Sequence, residues 1–347
     1  MKIAVVGAGS LGIFLASMMA RAGVELDVID HNPVNVDILQ SRGAQISGTY
    51  CFEQKLNTLF IDQAQGPYDL VFLLIKQNAN QRAAKLLRKI LAPQGVVCTL
   101  QNGVPEPYLI KELGEARVMG GIVAYGCRRL GPSRVELTGD AQVVRDQGLF
   151  MGEVNGLISS RLKEAARVLS AAGQVQLITN LTGMRWSKLA MNASMGALSA
   201  TLAATIGQVL ATPLAMRVLA CLADECVRVA LAKSIKLGAI QGIKFKELKL
   251  NSPSEIESKL KLHRSLWQHM SSTKMSMLQD LEAGHDTETS YINGLVVEEG
   301  AGLGVPAPFN RKVWQLLEGP AKGLVGMVLL QEFAPILENM YFSSCVY

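Results

Sequence analysis

A glycine-rich turn close to the amino terminus constrains the fold of this chain more than any other feature of its sequence. Residues 2–6 have the composition of a short β-strand, and residues 7–12 follow directly as Gly-Ala-Gly-Ser-Leu-Gly. Helix-forming residues continue to position 21, and a second strand pattern at residues 24–29 ends at Asp30. The order of strand, G-x-G-x-x-G, helix, strand and acid predicts a dinucleotide-binding βαβ unit.

Each part of this turn has a chemical role in the prediction. Gly7 permits a tight turn, Gly9 lets the backbone approach a pyrophosphate, and Gly12 lets the helix pack close to the strand. The helix N-terminus offers free N–H groups to phosphates. The predicted cofactor-binding residues are therefore Gly7, Ala8, Gly9, Ser10, Leu11, Gly12 and Asp30, where Asp30 accepts a hydrogen bond from a ribose 2′-hydroxyl. A glycine-rich turn without a ligand is the alternative interpretation.

Strand and helix patterns continue to alternate after this unit. Residues 69–75 form a near-continuous apolar run, as in strands that are buried on both faces, and residues 96–100 form another. Lys76 and Asn102 follow these two runs. Because ligands in doubly wound sheets lie beyond the carboxyl ends of the strands, we expect both residues to belong to a binding site rather than to be ordinary strand-terminal polar residues.

The pattern becomes helical from residue 180. An Ala/Leu/Met-rich helix at residues 184–204 carries Lys188 and Asn192 four positions apart, on one face, among small apolar residues. This favours the wall of a cleft, although a snorkelling lysine and a satisfied asparagine fit the same pattern. Glu288 is placed in the first turn of a later helix, where the dipole favours an acid. We predict an α/β Rossmann-type domain at residues 1–179 and an all-α domain at residues 180–347.

Composition excludes several other classes of protein. The chain is 49% hydrophobic and 18% charged, which excludes intrinsic disorder. Its uncharged stretches are explained by the turn at residues 7–12 or are too short to span a bilayer, so we expect no membrane partner. The net charge of +5 is modest, and acidic residues interrupt the basic stretch at residues 233–264, so we expect no nucleic-acid partner.

The six cysteines indicate a reducing compartment. They form no C-x-x-C pair and have no nearby histidine to complete a metal-ligand set, so no metal is predicted. A chain of this length and apolar content does not need disulfides as staples. We therefore expect free thiols and a cytoplasmic location.

Several segments together resemble the ketopantoate reductase (2-dehydropantoate 2-reductase) family. They occur in the order typical of that family and extend over about residues 1–318. The matching segments are residues 7–12, Leu74-Ile75-Lys76, Gln101-Asn102-Gly103, residues 186–192 (W-S-K-L-A-M-N), residues 276–280 (S-M-L-Q-D), Thr287-Glu288 and residues 291–294 (Y-I-N-G).

The resemblance implies a function and a role for individual residues. It implies reduction of a 2-keto acid by NADPH, in the first instance 2-dehydropantoate to pantoate in pantothenate biosynthesis, in a cleft between the two domains. Lys188 would protonate the ketone oxygen, and Glu288 would orient Lys188 and hold the nicotinamide ribose. The remaining implied residues are Asn102, Asn192 and Ser276 for the substrate, and Lys76 and again Asn102 for the cofactor.

Three departures from the family pattern bear on specificity. Gly196 and Ile206 stand where the family has asparagines that bind the substrate, so a different 2-keto or hydroxy acid is an alternative substrate. Asp30 would repel the 2′-phosphate of NADP, so we predict a preference for NAD, although His31 or Arg42 could still bind that phosphate. A non-catalytic redox sensor is a further alternative, and the retained Lys188 and Glu288 argue against it.

The carboxyl-terminal segment extends beyond the family's usual end. Residues 318–347 are apolar with helical spacing, which predicts an amphipathic helix that docks on the core or on a partner subunit. A homodimer is the expected assembly.

Overall fold

The computed structural model describes residues 1–240, 242–318 and 325–342. The chain divides into two compact units, Met1–Leu181 and Thr182–Tyr347. The first unit combines a mostly parallel sheet with helices, and the second consists almost entirely of helices. The predicted fold class, a Rossmann-type domain followed by a helical domain, is confirmed.

Strands and helices alternate in the first unit. Its strands are β1 (Ile3–Val6), β2 (Asp27–Asp30), β3 (Ala44–Gly48), β4 (Phe52–Gln54), β5 (Asn57–Phe60), β6 (Tyr68–Leu73), β7 (Leu91–Thr99), β8 (Val118–Val123), β9 (Cys127–Arg129), β10 (Arg134–Leu137), β11 (Leu149–Glu153) and β12 (Val175–Leu177). Its helices are α1 (Ser10–Arg21), α2 (Pro33–Arg42), α3 (Asn80–Ile90), α4 (Glu106–Leu113), α5 (Ala141–Asp146) and α6 (Ser160–Leu169).

Eight strands form the central sheet in the order β12-β11-β8-β7-β6-β1-β2-β5. Neighbouring strands are parallel except for β11 beside β8, which are antiparallel. The strand β1 lies between β2 and β6, and its Val5 pairs with Val28 and Phe72. The carboxyl ends of β1, β2, β6 and β7 therefore meet at one edge, where doubly wound sheets bind their ligands.

Helices cover both faces of this sheet. Successive residues of a strand point to opposite faces, so Val5 belongs to one apolar core and Val6 to another. Phe14 of α1 lies in the first core, and Leu87 of α3 lies in the second. Burial on both faces explains why the strands are continuously apolar in sequence.

A second, four-stranded sheet in the order β4-β3-β10-β9 was not anticipated from the sequence. It pairs β10 in parallel with β3, so that Val135 lies opposite Ile46. The strands β4 and β9 are antiparallel to their neighbours. This sheet brings Arg129 of β9 beside the glycine-rich turn, as described below.

The second unit contains most of the helices. They are α7 (Leu181–Met191, which begins at the last residue of the first unit), α8 (Ala197–Leu202), α9 (Ile206–Ala211), α10 (Pro213–Ala232), α11 (Ile256–Trp267), α12 (Ser276–Glu282), α13 (Leu295–Gly302), α14 (Pro308–Glu318) and α15 (Ala334–Phe342). A short hairpin is formed by β13 (Ala239–Ile240) and β14 (Ile243–Lys244).

Two segments of π-helix lie close in sequence to the predicted catalytic residues. One interrupts the helix that carries Lys188; the other begins two residues after Glu288, which precedes its helix and does not lie in the first turn as predicted. The sequence predicts one uninterrupted helix at residues 184–204, whereas Asn192–Gly196 is π-helical and joins α7 to α8. Ser290–Gly294 is likewise π-helical and precedes α13. Such segments recur at functional sites, because the extra residue redirects side chains and main-chain groups.

The apolar carboxyl-terminal segment is only partly described. Residues 319–324 and 343–347 lie outside the described residues, Met327–Phe333 is a 3₁₀-helix, and α15 follows it. Phe333 is fully buried and stacks on Phe309 of α14 with 6.4 Å between ring centroids. Part of this segment therefore packs on its own unit, while Val328 is 69% exposed.

Among the described residues, none of the helices combines the length and the apolar character that crossing a lipid bilayer requires.

Candidate active site

The glycine-rich turn joins β1 to α1, and its three glycines have different physical roles. Gly7 has a φ of +108°, a region that side chains disfavour. A Cβ atom on Gly12 would lie 1.9 Å from the carbonyl oxygen of Gly7, so the approach of helix and turn requires glycine there. A Cβ atom on Gly9 would meet no atom within 4 Å among the described residues. The protein itself thus leaves room at Gly9, where the motif places the pyrophosphate.

The turn fits a dinucleotide in its charge as well as its shape. Gly9 occupies the N-cap position of α1 and has no side chain to cap the helix. The N–H groups of the first turn, which includes Ser10 and Leu11, therefore remain available for an anion, and the helix dipole favours one.

Asp30 closes this part of the site from the end of β2. One carboxylate oxygen accepts from the backbone N–H of Ala8 at 2.7 Å, and the other accepts from the N–H of Asn32 at 2.8 Å. The side chain is 7% exposed. The carboxylate therefore holds the turn and the start of α2 together, and each oxygen keeps a further lone pair for another donor.

Arg129 is a residue of this region that the sequence reasoning missed. Its guanidinium donates to the carbonyl oxygen of Ala8 at 2.9 Å and to the side-chain oxygen of Asn35 at 2.8 Å. It also donates to the carbonyl oxygens of Gly131 and Pro132. Burial lowers the pKa of Arg129, and the charge of Asp30 acts in the opposite direction. Arg129 thus fixes the turn from a strand that lies 121 positions further along the chain.

His31 and Arg42, the two cations that could still bind a 2′-phosphate despite Asp30, lie in different places. His31 is 74% exposed, and its Nδ1 atom is 3.7 Å from the carboxylate of Asp30. Arg42 is the last residue of α2, which begins at Pro33. At 1.5 Å per residue this places Arg42 about 13 Å along the helix from its start. Arg42 is therefore remote from the carboxyl end of β2.

Lys76 and Asn102 follow the neighbouring strands β6 and β7, and buried glutamines tie their two loops together. The side chain of Gln77 donates to the carbonyl oxygen of Asn102 at 2.7 Å. The side chain of Gln101 donates to the carbonyl oxygen of Ile75 at 3.0 Å. Lys76 and Asn102 thus lie close together at one edge of the sheet.

In the second unit, Lys188 lies near the end of α7, and Asn192 begins the π-helical segment one turn later. The pKa of Lys188 is lowered from 10.5 to about 7, chiefly by burial and then by the charge of Arg185. The charge of Glu288 acts in the opposite direction, so these three charged groups lie close together. Arg185 was not anticipated; its only signal in the sequence is a basic residue within an apolar helix.

Glu288 stands just before the second π-helical segment. On either side of it, the hydroxyl groups of Thr287 and Thr289 are hydrogen-bonded at 2.6 Å, and the Thr287 hydroxyl accepts from the N–H of Thr289. Thr289 also contacts the sulfur of Met277 in α12. Ser276 is the exposed first residue of that helix. The threonines therefore hold the Glu288 segment beside the helix that carries Ser276.

The two positions that depart from the family pattern differ in their surroundings. Gly196 ends the first π-helical segment, and a Cβ atom there would lie 3.8 Å from the nearest side-chain atoms, which belong to Asn192 and Met275. Ile206 is fully buried at the start of α9. A Cβ atom at the buried Gly196 would thus be in ordinary van der Waals contact, whereas a buried apolar side chain occupies the other position.

No cluster of three or more potential metal ligands occurs among the residues that the structure describes.

Two family models match the chain. The model described as "Ketopantoate reductase PanE/ApbA" matches residues 3–147, and the one described as "Ketopantoate reductase PanE/ApbA C terminal" matches residues 180–321. The chain is 26% identical over 324 residues to a 2-dehydropantoate 2-reductase of Archaeoglobus fulgidus, which covers 93% of this chain and 99% of that relative.

Solved structures with the same fold include members of this family. A PanE/ApbA family ketopantoate reductase from Ralstonia eutropha JMP134 superposes with a TM-score of 0.74 at 26% identity, over 97% of this chain and all of that chain. A D-mandelate dehydrogenase, solved with NADH and anilino(oxo)acetate, superposes with a TM-score of 0.78 over 93% of this chain and 98% of that chain. At 22% identity, the second likeness shows a shared fold.

Proposed function

Since the chain belongs to the ketopantoate reductase family, we propose that it reduces 2-dehydropantoate to pantoate with a nicotinamide dinucleotide as the hydride donor. The observation that carries this proposal is Lys188. Its pKa of about 7 and its position near the carboxylate of Glu288 suit a proton donor at neutral pH.

Reduction of a ketone requires a hydride at carbon and a proton at oxygen. The cofactor, when bound, supplies the hydride. The ammonium group of Lys188 donates its proton to the ketone oxygen, and its charge stabilises the alkoxide as it develops. A lysine with an ordinary pKa would remain charged but would be a poorer acid, so the lowered pKa of Lys188 favours proton transfer.

The other polar residues are assigned to orientation and binding. Glu288 raises the pKa of Lys188 and so increases the fraction of Lys188 that is protonated. We assign two roles to Glu288, which are to orient the ammonium group and to form a hydrogen bond with the nicotinamide ribose. Asn102, Asn192 and Ser276 are assigned to the carboxylate and hydroxyl groups of the substrate. These roles rest on the family pattern and on the positions of the residues within each unit.

For the cofactor, we propose that residues Gly7–Gly12 hold the pyrophosphate and that Lys76 lies beside the bound dinucleotide. The choice between NAD and NADP depends on Asp30, whose carboxylate repels a 2′-phosphate. The nearby cation of Arg129 already donates to four acceptors of the protein, so little of its hydrogen-bonding capacity remains for that phosphate. We therefore propose a preference for NADH.

A different 2-keto acid is the second candidate substrate. Gly196 and Ile206 remove two hydrogen-bonding side chains, and their loss would favour a bulkier, less hydroxylated substrate. Sites that recognise hydroxyl groups lose selectivity when such partners are absent.

A panel of 2-keto acids assayed with NADH and with NADPH tests these proposals. We expect 2-dehydropantoate and NADH to give the highest kcat/KM, and oxidation of neither cofactor by 2-dehydropantoate would remove the leading substrate. Replacing Lys188 with alanine should abolish turnover and leave NADH binding intact in a fluorescence titration. Turnover in that variant would contradict the assigned proton donor and would reopen the alternative of a redox sensor.

We further propose that the protein is a cytoplasmic homodimer. The thiols of Cys51, Cys98, Cys127, Cys221 and Cys226 are free, which agrees with a reducing compartment. The exposed apolar side chains of Met327 and Val328 are candidates for a dimer contact. Sedimentation equilibrium at several protein concentrations would establish the oligomeric state.

A further inference from the structure

We infer that Asn293 is a positioning residue of the proposed reductase, because its side-chain amide ties the π-helical segment after Glu288 to the π-helical segment that contains Asn192. This inference rests on the proposed function of Lys188 and Glu288. Asn293 belongs to the Y-I-N-G block at residues 291–294, to which the proposed chemistry assigns no role.

The hydrogen bonds of Asn293 lead directly to the other segment. Its Nδ2 atom donates to the main-chain carbonyl oxygen of Ala193 at 2.8 Å, across 100 positions of sequence. Ala193 is the second residue of the segment Asn192–Gly196, and Asn293 is the fourth residue of Ser290–Gly294. Both side chains are completely buried. One amide group therefore fixes the distance between the two irregular turns.

The same amide is held from its other side. The second N–H of Asn293 donates to the side-chain oxygen of Asn310 at 2.8 Å. Asn310 donates in turn to Glu225 at 2.7 Å and to the carbonyl oxygen of Leu222 at 3.2 Å. Glu225 also accepts from the N–H groups of Phe309 and Asn310 at the start of α14. These hydrogen bonds hold Asn293 against α10 and α14. Through its own hydrogen bond, Asn293 then holds the carbonyl group of Ala193 in a fixed position.

The buried hydrogen bond between Asn293 and Ala193 lies close in sequence to both residues of the proposed proton transfer. Lys188 precedes the first π-helical segment by one turn, and Glu288 precedes the second by two residues. A π-helical turn inside an α-helix interrupts the i→i+4 hydrogen-bond pattern, so main-chain carbonyl groups such as that of Ala193 can accept from a partner outside the helix. Since misplacing a reacting group by about 1 Å can reduce a rate by about 100-fold, the amide of Asn293 is in a position to control kcat.

Matched isosteric variants separate positioning from stability. Asn293→Asp keeps the size of the side chain but removes the donors to Ala193 and to the side-chain oxygen of Asn310. Asn310→Asp makes the same amide-to-carboxylate change, one hydrogen bond further from Ala193. It keeps an acceptor for Asn293 and removes the donors to Glu225 and Leu222. Each variant is examined by thermal melting, NADH titration, kcat and KM for the best 2-keto acid, and the pH profile of kcat/KM.

We expect Asn293→Asp to lower kcat by about 10- to 100-fold and to leave the dissociation constant of NADH unchanged. Here kcat is calculated from the concentration of folded protein that binds NADH. Because burial is the largest cause of the low pKa of Lys188, loosening its helix should move the alkaline limb of kcat/KM to higher pH. Asn310→Asp should lower the melting temperature at least as much as Asn293→Asp does. It should keep the kcat and the pH profile of the wild type. Equal losses of kcat in the two variants, or an unchanged pH profile in Asn293→Asp, would overturn the inference.

Failure of the proposed function would be recognised separately. In that case the wild-type protein would reduce no 2-keto acid. The pH dependence of acylation of Lys188 by acetic anhydride, followed by mass spectrometry, still reports its pKa. A shift in Asn293→Asp without a shift in Asn310→Asp would support the positioning role without any assay of turnover.

Discussion

Arg185 lies close enough to Lys188 for its positive charge to lower the pKa of that lysine. The two residues are three positions apart on α7 and therefore neighbours on one face of the helix. Arg185 is 1% exposed, so solvent does little to screen its charge. Together with burial, which is the larger cause, this charge brings the pKa of Lys188 from 10.5 to about 7. The proposed proton donor therefore titrates near neutral pH.

The first prediction is that the reduction reaction slows as the pH rises through about 7. Protonated Lys188 is the required form, and its folded-state pKa lies below the ordinary value, so the active form predominates below about pH 7 and declines as the pH rises above it. The profile of kcat/KM reports the free enzyme and should fall about tenfold per pH unit on its alkaline side. Initial rates from pH 5 to 9 at fixed ionic strength test this. A flat profile across pH 7 would contradict the role of Lys188.

The second prediction concerns the charge of Arg185. Replacing it with glutamine removes the nearby cation, so the pKa of Lys188 should rise and the alkaline limb of kcat/KM should move to higher pH. Arg217→Gln is the matched control, since Arg217 lies on α10 and pairs with Glu257 at 3.4 Å. In the control, the alkaline limb of kcat/KM should lie at the same pH as in the wild type. Thermal melting of both variants would reveal any loss of folded protein. A shift of the limb to lower pH in Arg185→Gln would show that Arg185 acts through another group.

Sequence predicts the parts of this fold that arise from local patterns. The turn at residues 7–12, the helix after it and Asp30 lie within 24 positions of one another, and each has a specific chemical requirement. Pairing over long distances in sequence leaves no such pattern. The parallel register of β10 with β3 joins residues 134–137 to residues 45–48, and the reversal of β11 beside β8 depends on the path of the chain between them. The second sheet and the mixed central sheet were missed for this reason.

The candidate site shows the same division between local and distant information. The spacing of Lys188 and Asn192 suffices to place them on one helix face. It does not predict the π-helical turn at Asn192, because that turn is held by tertiary partners such as Asn293. Arg129 reaches Ala8 from a strand that sequence reasoning did not recognise. Contacts between distant segments determine the details that tune the site.

The third prediction separates the roles of two glycines in the turn. Gly9→Ala should fold with a free energy of unfolding within about 0.5 kcal/mol of the wild type, because its Cβ meets no described atom within 4 Å. The added methyl group should obstruct the pyrophosphate and weaken NADH binding by about tenfold or more, which corresponds to about 1.4 kcal/mol. Urea unfolding and fluorescence titration measure the two quantities.

Gly12→Ala is the matched variant for this comparison. Its Cβ would lie 1.9 Å from the carbonyl oxygen of Gly7, which is backbone and cannot move aside as a side chain could. We expect a loss of about 1–3 kcal/mol in the free energy of unfolding. Unchanged NADH affinity in a well-folded Gly9→Ala protein would contradict the assignment of the pyrophosphate to this turn.

The fourth prediction tests whether Gly196 limits recognition of a hydroxylated substrate. Gly196 has helical dihedral angles, φ −59° and ψ −50°, and a Cβ atom there is in ordinary contact at 3.8 Å, so neither the backbone nor the Cβ atom opposes a side chain at this position. Gly196→Asn restores an amide at a position where the family has one and should raise kcat/KM for 2-dehydropantoate by about tenfold, the effect of one hydrogen bond of about 1.4 kcal/mol. For 2-keto acids without a hydroxyl group, kcat/KM should not increase. Gly196→Ala fills the same first position without an amide and serves as the control. If the alanine and asparagine variants behave alike toward both kinds of substrate, Gly196 does not determine specificity and the substrate is recognised elsewhere.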